Sequence, residues 1–322
     1  PRSAFMTYAD KTQALTGKYE NSPYYELLNG TWKFYYTDSY LNLPADITSP
    51  EVSTEGWHDI KVPGNWEVQG FGTAIYTNHG YEFQPRNPQP PLLPEKNPVG
   101  VYRRDITVPS EWKGRDIYLH IAGAKSGCYV YLNGKEVGYN EDSKNPAEYL
   151  INDYLKEGNN VLTLKIFRWS TGSYLECQDF WRISGIERDV YLYSQPKVAI
   201  KDFRVTSTLD DTYKNGIFKL TMDIRNTGSQ TSKDYIIGYK VFDPKTNKVI
   251  AESEKNSAFN ANSTISLFGH TEIEIPDVKT WTSEHPNLYK LLMYIKDGEK
   301  IVEMVPFNIG FRRIEIKPIE QK

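Results

Sequence analysis

Apolar and polar residues alternate with a period of two along most of the chain. Because successive side chains of a strand point to opposite faces of a sheet, this alternation predicts strands with one buried face. Asn133-Gly134 is a strong hairpin-turn signal, and only residues 147–157 carry the pattern of a short helix. Short strands separated by turns predict an all-β fold built of β-sandwiches. The clearest apolar sets in the first part are Trp32, Phe34 and Tyr36; Ile117, Leu119 and Ile121; and Leu162, Leu164 and Ile166.

A domain boundary is predicted near residues 194–197. Pro196 should end the preceding strand, since proline cannot donate a ladder hydrogen bond. We therefore predict one domain over residues 1–195 and a second over 196–322, the second an immunoglobulin-like β-sandwich. Its predicted strands cover residues 218–224, 236–242, 271–275, 289–295 and 302–309.

Composition narrows the class of protein. The 322 residues include 38 Lys and Arg against 41 Asp and Glu, a net charge of −3 without a basic cluster, which argues against nucleic-acid binding. No apolar run is long enough for a transmembrane helix, so we expect no membrane span. The 14% aromatic content suits strands and also suits flat apolar ligands such as sugar rings.

The N-terminus carries neither an initiator Met nor the layout of a signal peptide, so we expect a processed or trimmed chain. The two cysteines, Cys128 and Cys177, fit an oxidising or a reducing compartment. Localisation therefore stays open between cytoplasm and periplasm.

Several catalytic classes have no support in the sequence. The five histidines are scattered and the cysteines lack metal-site spacing, so a transition-metal site is not expected. Nucleotide-binding loops and the nucleophile elbow of serine hydrolases are absent as motifs. The proline-rich stretch 84–100 should be extended and stiff, and a loop of that length is functional, packs against another domain, or is a solvent-facing linker.

Asp179 is the most interesting carboxylate. Glu141-Asp142 and Asp210-Asp211 are adjacent pairs whose members would point to opposite faces, so they suit solvated turns better than acid–base pairs. Asp179 lies among aromatic residues, where it suits recognition of hydroxyl groups or a hard cation. A buried ion pair with Arg182 or Arg188 explains it equally well.

The ordered motifs resemble the N-terminal part of family 2 glycoside hydrolases, and within that family the β-galactosidases of the lac-operon type. The resemblance covers essentially the whole chain. Its main motifs are Leu28-Asn29-Gly30-Thr31-Trp32-Lys33-Phe34, Val62-Pro63-Gly64-Asn65-Trp66-Glu67, Asn97-Pro98-Val99-Gly100-Val101-Tyr102, Asn133-Gly134-Lys135-Glu136-Val137-Gly138-Tyr139, Arg168-Trp169-Ser170, Gln178-Asp179-Phe180-Trp181-Arg182, Ser184-Gly185-Ile186 and Gly310-Phe311-Arg312.

The resemblance implies a jelly-roll sugar-binding domain over 1–195, then the immunoglobulin-like sandwich, then a catalytic TIM barrel as the chain's own C-terminal partner. It implies that the parent protein hydrolyses terminal β-D-galactosides with retention. The family's two catalytic glutamates lie in the barrel, so this chain should contribute no catalytic residue and be inactive alone. Relatives form homo-oligomers at full length, and we expect the same of the parent.

Two residues carry over as substrate-binding residues. Asn97 matches an asparagine that reaches the galactose pocket, and Asp179 matches an aspartate that touches galactose and helps hold sodium; magnesium is implied in the parent only. Cys177 departs from the acid usual in relatives. The alternative is a stand-alone carbohydrate-binding module without hydrolase activity. Aromatic residues that could stack on sugar, or equally pack in cores and interfaces, are Trp66, Tyr102, Trp169, Phe180 and Trp181.

Overall fold

The structure, a computed structural model, describes residues 3–316 and 318, apart from 79, 85, 177 and 270. The chain divides into two compact units. One unit is Tyr25–Ser194, and the other combines the chain up to Tyr24 with the chain from Gln195 onward. The division after Ser194 lies beside the boundary drawn from Pro196. The return of the N-terminal segment to the second unit was not part of the sequence prediction.

The unit Tyr25–Ser194 is built of two antiparallel sheets and small ribbons. Short 3-10 turns interrupt the strands at Tyr40–Asn42, Glu67–Gln69, Ser110–Trp112, Asn152–Tyr154 and Thr171–Tyr174. The strands are β1 (Tyr25–Leu27), β2 (Gly30–Thr37), β3 (His58–Val62), β4 (Gly64–Asn65), β5 (Ile75–Thr77), β6 (Val99–Thr107), β7 (Asp116–Ile121), β8 (Ala124–Lys125), β9 (Gly127–Leu132), β10 (Lys135–Asn140), β11 (Ala147–Leu150), β12 (Asn159–Phe167), β13 (Phe180–Arg182), β14 (Gly185–Ile186) and β15 (Val190–Gln195).

The two large sheets have the orders β1-β15-β7-β11 and β10-β9-β12-β6-β2-β3. Along β2, Trp32 and Phe34 are buried while Lys33 is exposed, as the alternation predicts. In β7 both faces are buried, so the positions between the apolar ones are buried as well. His120 is one of them, and its ring stacks on Tyr191 at 4.3 Å between centroids. The all-β sandwich prediction is confirmed.

The helix predicted over 147–157 is wrong. Residues Ala147–Leu150 form β11, paired with β7, and only the 3-10 turn Asn152–Tyr154 follows. The side chain of Asn152 fixes this change of direction, since it accepts a hydrogen bond from Ile117 N (2.8 Å) and donates to Arg115 O (2.8 Å). Tertiary pairing outweighs the weak local helical pattern.

Gly100 allows two aromatic rings to approach the backbone inside this sandwich. A Cβ at Gly100 would overlap the indole of Trp66 and lie 2.6 Å from Phe34 Cε2, and both rings are fully buried. We expect Gly100→Ala to lower the free energy of unfolding by about 1–3 kcal/mol, the range for overpacking a dense core. Denaturant unfolding measures this, and an unchanged midpoint would contradict the packing described.

The second unit consists of two four-stranded sheets with one core between them. One sheet has the order β16-β17-β20, with β21 also paired to β17, and the other has the order β19-β18-β22-β23. This arrangement is the expected immunoglobulin-like sandwich. The elements are α1 (Lys11–Thr16), a 3-10 turn at Tyr19–Asn21, β16 (Val198–Leu209), β17 (Gly216–Asn226), β18 (Tyr235–Phe242), β19 (Val249–Ser257), β20 (Ser263–Leu267), β21 (Ile273–Ile275), β22 (Tyr289–Asp297) and β23 (Lys300–Ile309).

The N-terminal segment is part of this second sandwich. Tyr8 and Met304 exchange backbone hydrogen bonds of 2.8 and 3.1 Å, and the ring of Phe5 packs on Phe203 at 5.6 Å between centroids. The short helix α1 is capped by Asp10, whose carboxylate accepts from Gln13 N at 2.9 Å. Residues far apart in sequence therefore complete one core.

Candidate functional site

Asn97 lies at the end of the proline-rich stretch and is 3% exposed. Its Nδ2 donates to Trp169 O (2.9 Å), and its Oδ1 accepts from Trp169 N (3.1 Å). The Asn97 carbonyl also accepts from Tyr40 N at 3.0 Å. An amide side chain has two N–H groups and two lone pairs on oxygen. One of each therefore remains for a ligand, while the others hold Asn97 and Trp169 in a fixed relation.

The proline-rich stretch packs on the unit through its flanking polar groups. The Tyr174 hydroxyl lies 2.6 Å from Gln84 Oε1 and 2.5 Å from Leu92 O, and its one proton, shared between these acceptors, ties the stretch to the turn Thr171–Tyr174. Gln84 Oε1 also accepts from Gln89 N at 3.1 Å. The stretch is thus tied to its own unit at Gln84 and Leu92, while residues 86–91 between them are exposed. Pro85 lies outside the described residues.

Asp179 directly precedes β13 and is exposed. Tyr76 lies on β5, the partner strand of β13, and its hydroxyl donates to Asp179 Oδ1 at 2.6 Å. This hydrogen bond to the carboxylate raises the pKa of Tyr76. The alternative of a buried Asp–Arg pair does not hold for Asp179: Arg182 pairs with Glu82 instead, and Arg188 donates to the carbonyl of Lys144.

Glu82 connects the surroundings of the two predicted residues. Its Oε1 accepts from Trp169 Nε1 at 2.8 Å, and its Oε2 lies 3.3 Å from Arg182 Nε. Arg182 is the last residue of β13, and Trp169 is the partner of Asn97. The side chains of Glu82 and Arg182 are 7% and 4% exposed. A continuous chain of polar contacts thus runs from Asn97 to β13, the strand that Asp179 directly precedes.

Sequence reasoning missed Glu82. Its signal is weak: a single acid between two aromatic residues, Tyr81 and Phe83, beside a proline-rich run. The structure explains the pattern, because the ring of Phe83 packs on Trp169 at 5.6 Å between centroids and the carboxylate then meets the indole N–H. Glu82 and Phe83 therefore hold Trp169 together, one through its indole N–H and the other through its ring.

A second buried ion pair lies beneath this site. Glu67 and Arg168 lie 3.5 Å apart, with side chains 0% and 5% exposed. Burial raises the pKa of Glu67, although the N–H of Ser184 (2.7 Å) and the charge of Arg168 oppose the rise. Burial likewise lowers the pKa of Lys125, with Lys144 adding to the effect. The chain thus keeps several charges inside this end of the unit.

A hard cation would find one ligand here. Such ions take several oxygen ligands, and the Asp179 carboxylate is an exposed oxygen donor of the right kind. Across the described ranges, no three His, Cys, Asp or Glu side chains come together as a metal site. The residues present therefore fit one corner of a cation site and leave the other ligands to be supplied from elsewhere. Cys177 lies outside the described residues.

Four of the five candidate stacking residues fall into two groups, and the fifth, Trp169, is half-buried. Trp66 and Tyr102 are fully buried and belong to the core. Phe180 and Trp181 are 49% and 51% exposed, next to Tyr76 at 56%. The ribbon of β5 and β13 therefore presents rings beside Asp179.

Among the helices that the structure describes, none has the length and apolarity needed to cross a membrane.

Comparisons with known proteins place the chain among carbohydrate-active proteins. The family model described as the sugar binding domain of glycosyl hydrolases family 2 matches residues 25–196, and the model described as glycosyl hydrolases family 2 matches residues 198–312. A Beta-galactosidase of Priestia megaterium is 40% identical over 316 residues, which cover 97% of this chain and 30% of that protein. A Beta-galactosidase of Streptococcus thermophilus is 36% identical and covers 90% of this chain and 27% of its own length.

Solved structures agree on the fold. A beta-glucuronidase of Bacteroides uniformis matches with a TM-score of 0.73 at 18% identity, covering 89% of this chain and 32% of that one. A beta-glycosidase of Bacteroides vulgatus matches with a TM-score of 0.68 at 22% identity, covering 92% of this chain and 34% of that one. At these identities the likeness concerns the fold alone. The chain spans about 30% of the length of the curated relatives it matches.

Proposed function

Because the chain belongs to glycosyl hydrolase family 2, we propose that it is the non-catalytic N-terminal region of a retaining β-galactosidase, called the parent enzyme below. In this proposal the chain supplies pocket-edge residues and a scaffold to a TIM barrel, and the parent hydrolyses terminal β-D-galactosides. Support comes from the relatives named Beta-galactosidase, which match 90–97% of this chain at 36–40% identity.

The observation that carries the proposal is the polar chain from Asn97 to β13. Trp169, Glu82 and Arg182 fix the relation between an amide with spare hydrogen-bonding capacity and a strand that begins beside an exposed carboxylate. Such an arrangement suits the recognition of sugar hydroxyls at the rim of a pocket, because the polar groups are ordered before the ligand binds. Asp179 supplies one oxygen of a sodium site beside the sugar.

The carboxylates of this chain do not supply the hydrolytic chemistry in our proposal. Retaining hydrolysis uses two carboxyl groups about 5 Å apart across the glycosidic bond. Glu67 and Glu82, two acids with buried side chains around this site, are already engaged by Arg168 and Arg182. We expect no turnover of nitrophenyl β-galactoside by the purified chain and rapid turnover by the parent enzyme. Turnover by the chain alone would overturn the proposal that the catalytic carboxylates lie outside this chain.

Asn97→Ala tests the role of the amide. We expect kcat/KM of the parent enzyme to fall about tenfold, because one substrate hydrogen bond is lost and the anchor on Trp169 is released. Nitrophenyl β-galactoside kinetics measure this. The matched control is Asn159→Ala, an exposed asparagine at the start of β12, which should leave kcat/KM unchanged. Equal kinetics for wild type and Asn97→Ala would reject the assignment.

The second candidate is a stand-alone carbohydrate-binding module. The exposed rings of Phe180 and Trp181 favour it, since aromatic faces stack on sugar rings. Calorimetry with methyl β-galactoside separates the two functions. Micromolar binding of this single sugar by the chain favours the module, and a lack of binding favours a pocket edge that needs its barrel.

A further inference from the structure

A groove of about 500 Å³ opens beside Asn97 on the outer face of the six-stranded sheet. Its floor carries the rings of Tyr129 on β9, Tyr139 on β10 and Phe167 at the end of β12. Tyr40 and Trp169 form the walls nearest to Asn97. The volume lies within the range of ligand pockets, about 300–1,000 Å³.

The groove is tied directly to Asn97. The carbonyl of Asn97 accepts from the backbone N–H of Tyr40 at 3.0 Å, and its side-chain amide holds the backbone of Trp169 at 2.9 and 3.1 Å. Both walls of the groove are therefore fixed to the residue assigned to the sugar pocket. A ligand that lies along the groove would continue from the position that Asn97 contacts.

Polar groups line the groove between the rings. Glu141 accepts hydrogen bonds from Thr171 Oγ1 (2.7 Å), Gly172 N (3.1 Å) and Tyr139 OH (3.2 Å), so its carboxylate is held in place at the rim. Burial works to raise the pKa of Glu141, but these hydrogen bonds outweigh it and lower the pKa. Glu95 adds a second carboxylate. Carboxylates accept well from hydroxyl groups, and neutral sugars are rich in hydroxyls.

Two rings of the groove stay partly exposed, although Tyr139 packs on Tyr129 at 4.4 Å and Tyr40 on Phe167 at 6.4 Å between ring centroids. Lys165 Nζ lies 5.0 Å from the Tyr129 ring centroid and 5.8 Å from that of Phe167, so those faces are already in use. Tyr40 and Tyr139 are 40% and 43% exposed. An aromatic face with fixed acceptors beside it matches the apolar face and equatorial hydroxyls of a hexose.

We propose that this groove binds the further sugar units of a neutral β-linked galacto-oligosaccharide that extend beyond the unit at Asn97. The proposal rests on the proposed function for the identity of the sugar, and it names longer galacto-oligosaccharides as the substrate class of that site. The groove itself belongs entirely to the unit Tyr25–Ser194, so it is testable in this chain.

The test is a titration of the isotope-labelled chain with β-1,4-galactotetraose, followed by NMR. We expect shifts of the signals of Tyr40, Tyr139 and the Trp169 indole, with a dissociation constant near 1 mM. Tyr40→Ala should weaken binding about tenfold, while Tyr40→Phe, which keeps the ring, should stay within about twofold. Tyr213→Ala is the matched control, an exposed tyrosine (46%) of the second unit, and should bind as wild type.

Two results would overturn the groove: no shifts up to about 10 mM tetraose, or equal affinity for wild type and Tyr40→Ala. Hydrolysis of nitrophenyl β-galactoside by the parent enzyme tests the proposed function separately. Hydrolysis by the parent enzyme without tetraose binding by the chain rejects only the proposal that the groove binds sugar. Tetraose binding without hydrolysis supports sugar binding in the groove and rejects the proposed function.

Discussion

Asp179→Ala in the parent enzyme is expected to lower kcat/KM for nitrophenyl β-galactoside about 100-fold. The carboxylate is exposed beside β13, and Tyr76 OH holds one of its oxygens at 2.6 Å, so its direction is set before substrate arrives. Its removal takes away a charged hydrogen-bond acceptor for a sugar hydroxyl and one oxygen ligand of the proposed sodium ion. Two interactions of about 1.4 kcal/mol each correspond to a factor of about 100.

The sodium response separates the two roles of Asp179. Wild-type activity should rise with sodium at constant ionic strength, and the Asp179→Ala enzyme should lose that dependence. Tyr76→Phe keeps the carboxylate and removes only its hydrogen bond, so we expect a smaller loss, about threefold. Asp153→Ala, on the exposed turn Asn152–Tyr154, is the matched control and should behave as wild type. Unchanged kcat/KM in Asp179→Ala would reject the assignment.

Arg168→Met is expected to lower the free energy of unfolding of the chain by about 3–5 kcal/mol at neutral pH. Arg168 lies 3.5 Å from Glu67, and the two side chains are 5% and 0% exposed. Its guanidinium also donates to the carbonyls of Thr73 (2.8 Å) and Arg182 (3.1 Å). Removal of the cation leaves a buried carboxylate without its countercharge, and denaturant unfolding measures the loss.

The pH dependence of this loss has a defined sign. Burial raises the pKa of Glu67 above its ordinary 4.5. The contribution of Glu67 to the free energy of unfolding of the wild type therefore falls as pH rises from 4.5 through the raised pKa. Without Arg168 the pKa rises further. The deficit of Arg168→Met should therefore be full well above that pKa and should shrink as pH falls through it, because protonation of Glu67 removes the unpaired buried charge.

A double variant checks the cause. Glu67→Gln combined with Arg168→Met removes the buried charge and should recover part of the lost stability at neutral pH. The neutral amide oxygen still accepts from the backbone N–H of Ser184 or from the indole N–H of Trp66. These donors lie 2.7 and 2.6 Å from the Glu67 carboxylate oxygens. A deficit that is constant with pH, and unchanged in the double variant, would show that packing rather than charge sets the cost.

The fold was largely predictable from the sequence because its strands alternate strictly where one face is buried. In β2 Trp32 and Phe34 are buried on either side of exposed Lys33, and in β17 every second position from Gly216 to Asn226 is buried. β19 has mostly exposed positions, with Ala251 buried at its centre, so the sequence pattern carries little signal there. The 147–157 segment was misassigned because its pairing with β7 is a tertiary contact that no local pattern encodes.

The candidate site was predictable only as far as motifs reach. Asn97 came from the family resemblance alone, whereas Asp179 was also indicated by its aromatic surroundings, and their roles stay predictions that the variants above test. Glu82 could not be found in this way, because its importance depends on Trp169 and Arg182 meeting it from distant positions in the chain. Buried polar partners are set by three-dimensional packing, which the sequence shows only indirectly.

The N-terminal segment also has a consequence for how the protein is made. Tyr8 leaves the ribosome early, but its backbone partner Met304 follows almost a whole chain length later, a wait of about 15 to 60 s at ordinary rates of synthesis. The unit Tyr25–Ser194 is complete in the meantime. Nascent chains therefore carry Phe5 and Tyr8 uncovered until Phe203 and Met304 have been synthesised, which makes this segment a binding target for chaperones and a vulnerable point for proteases.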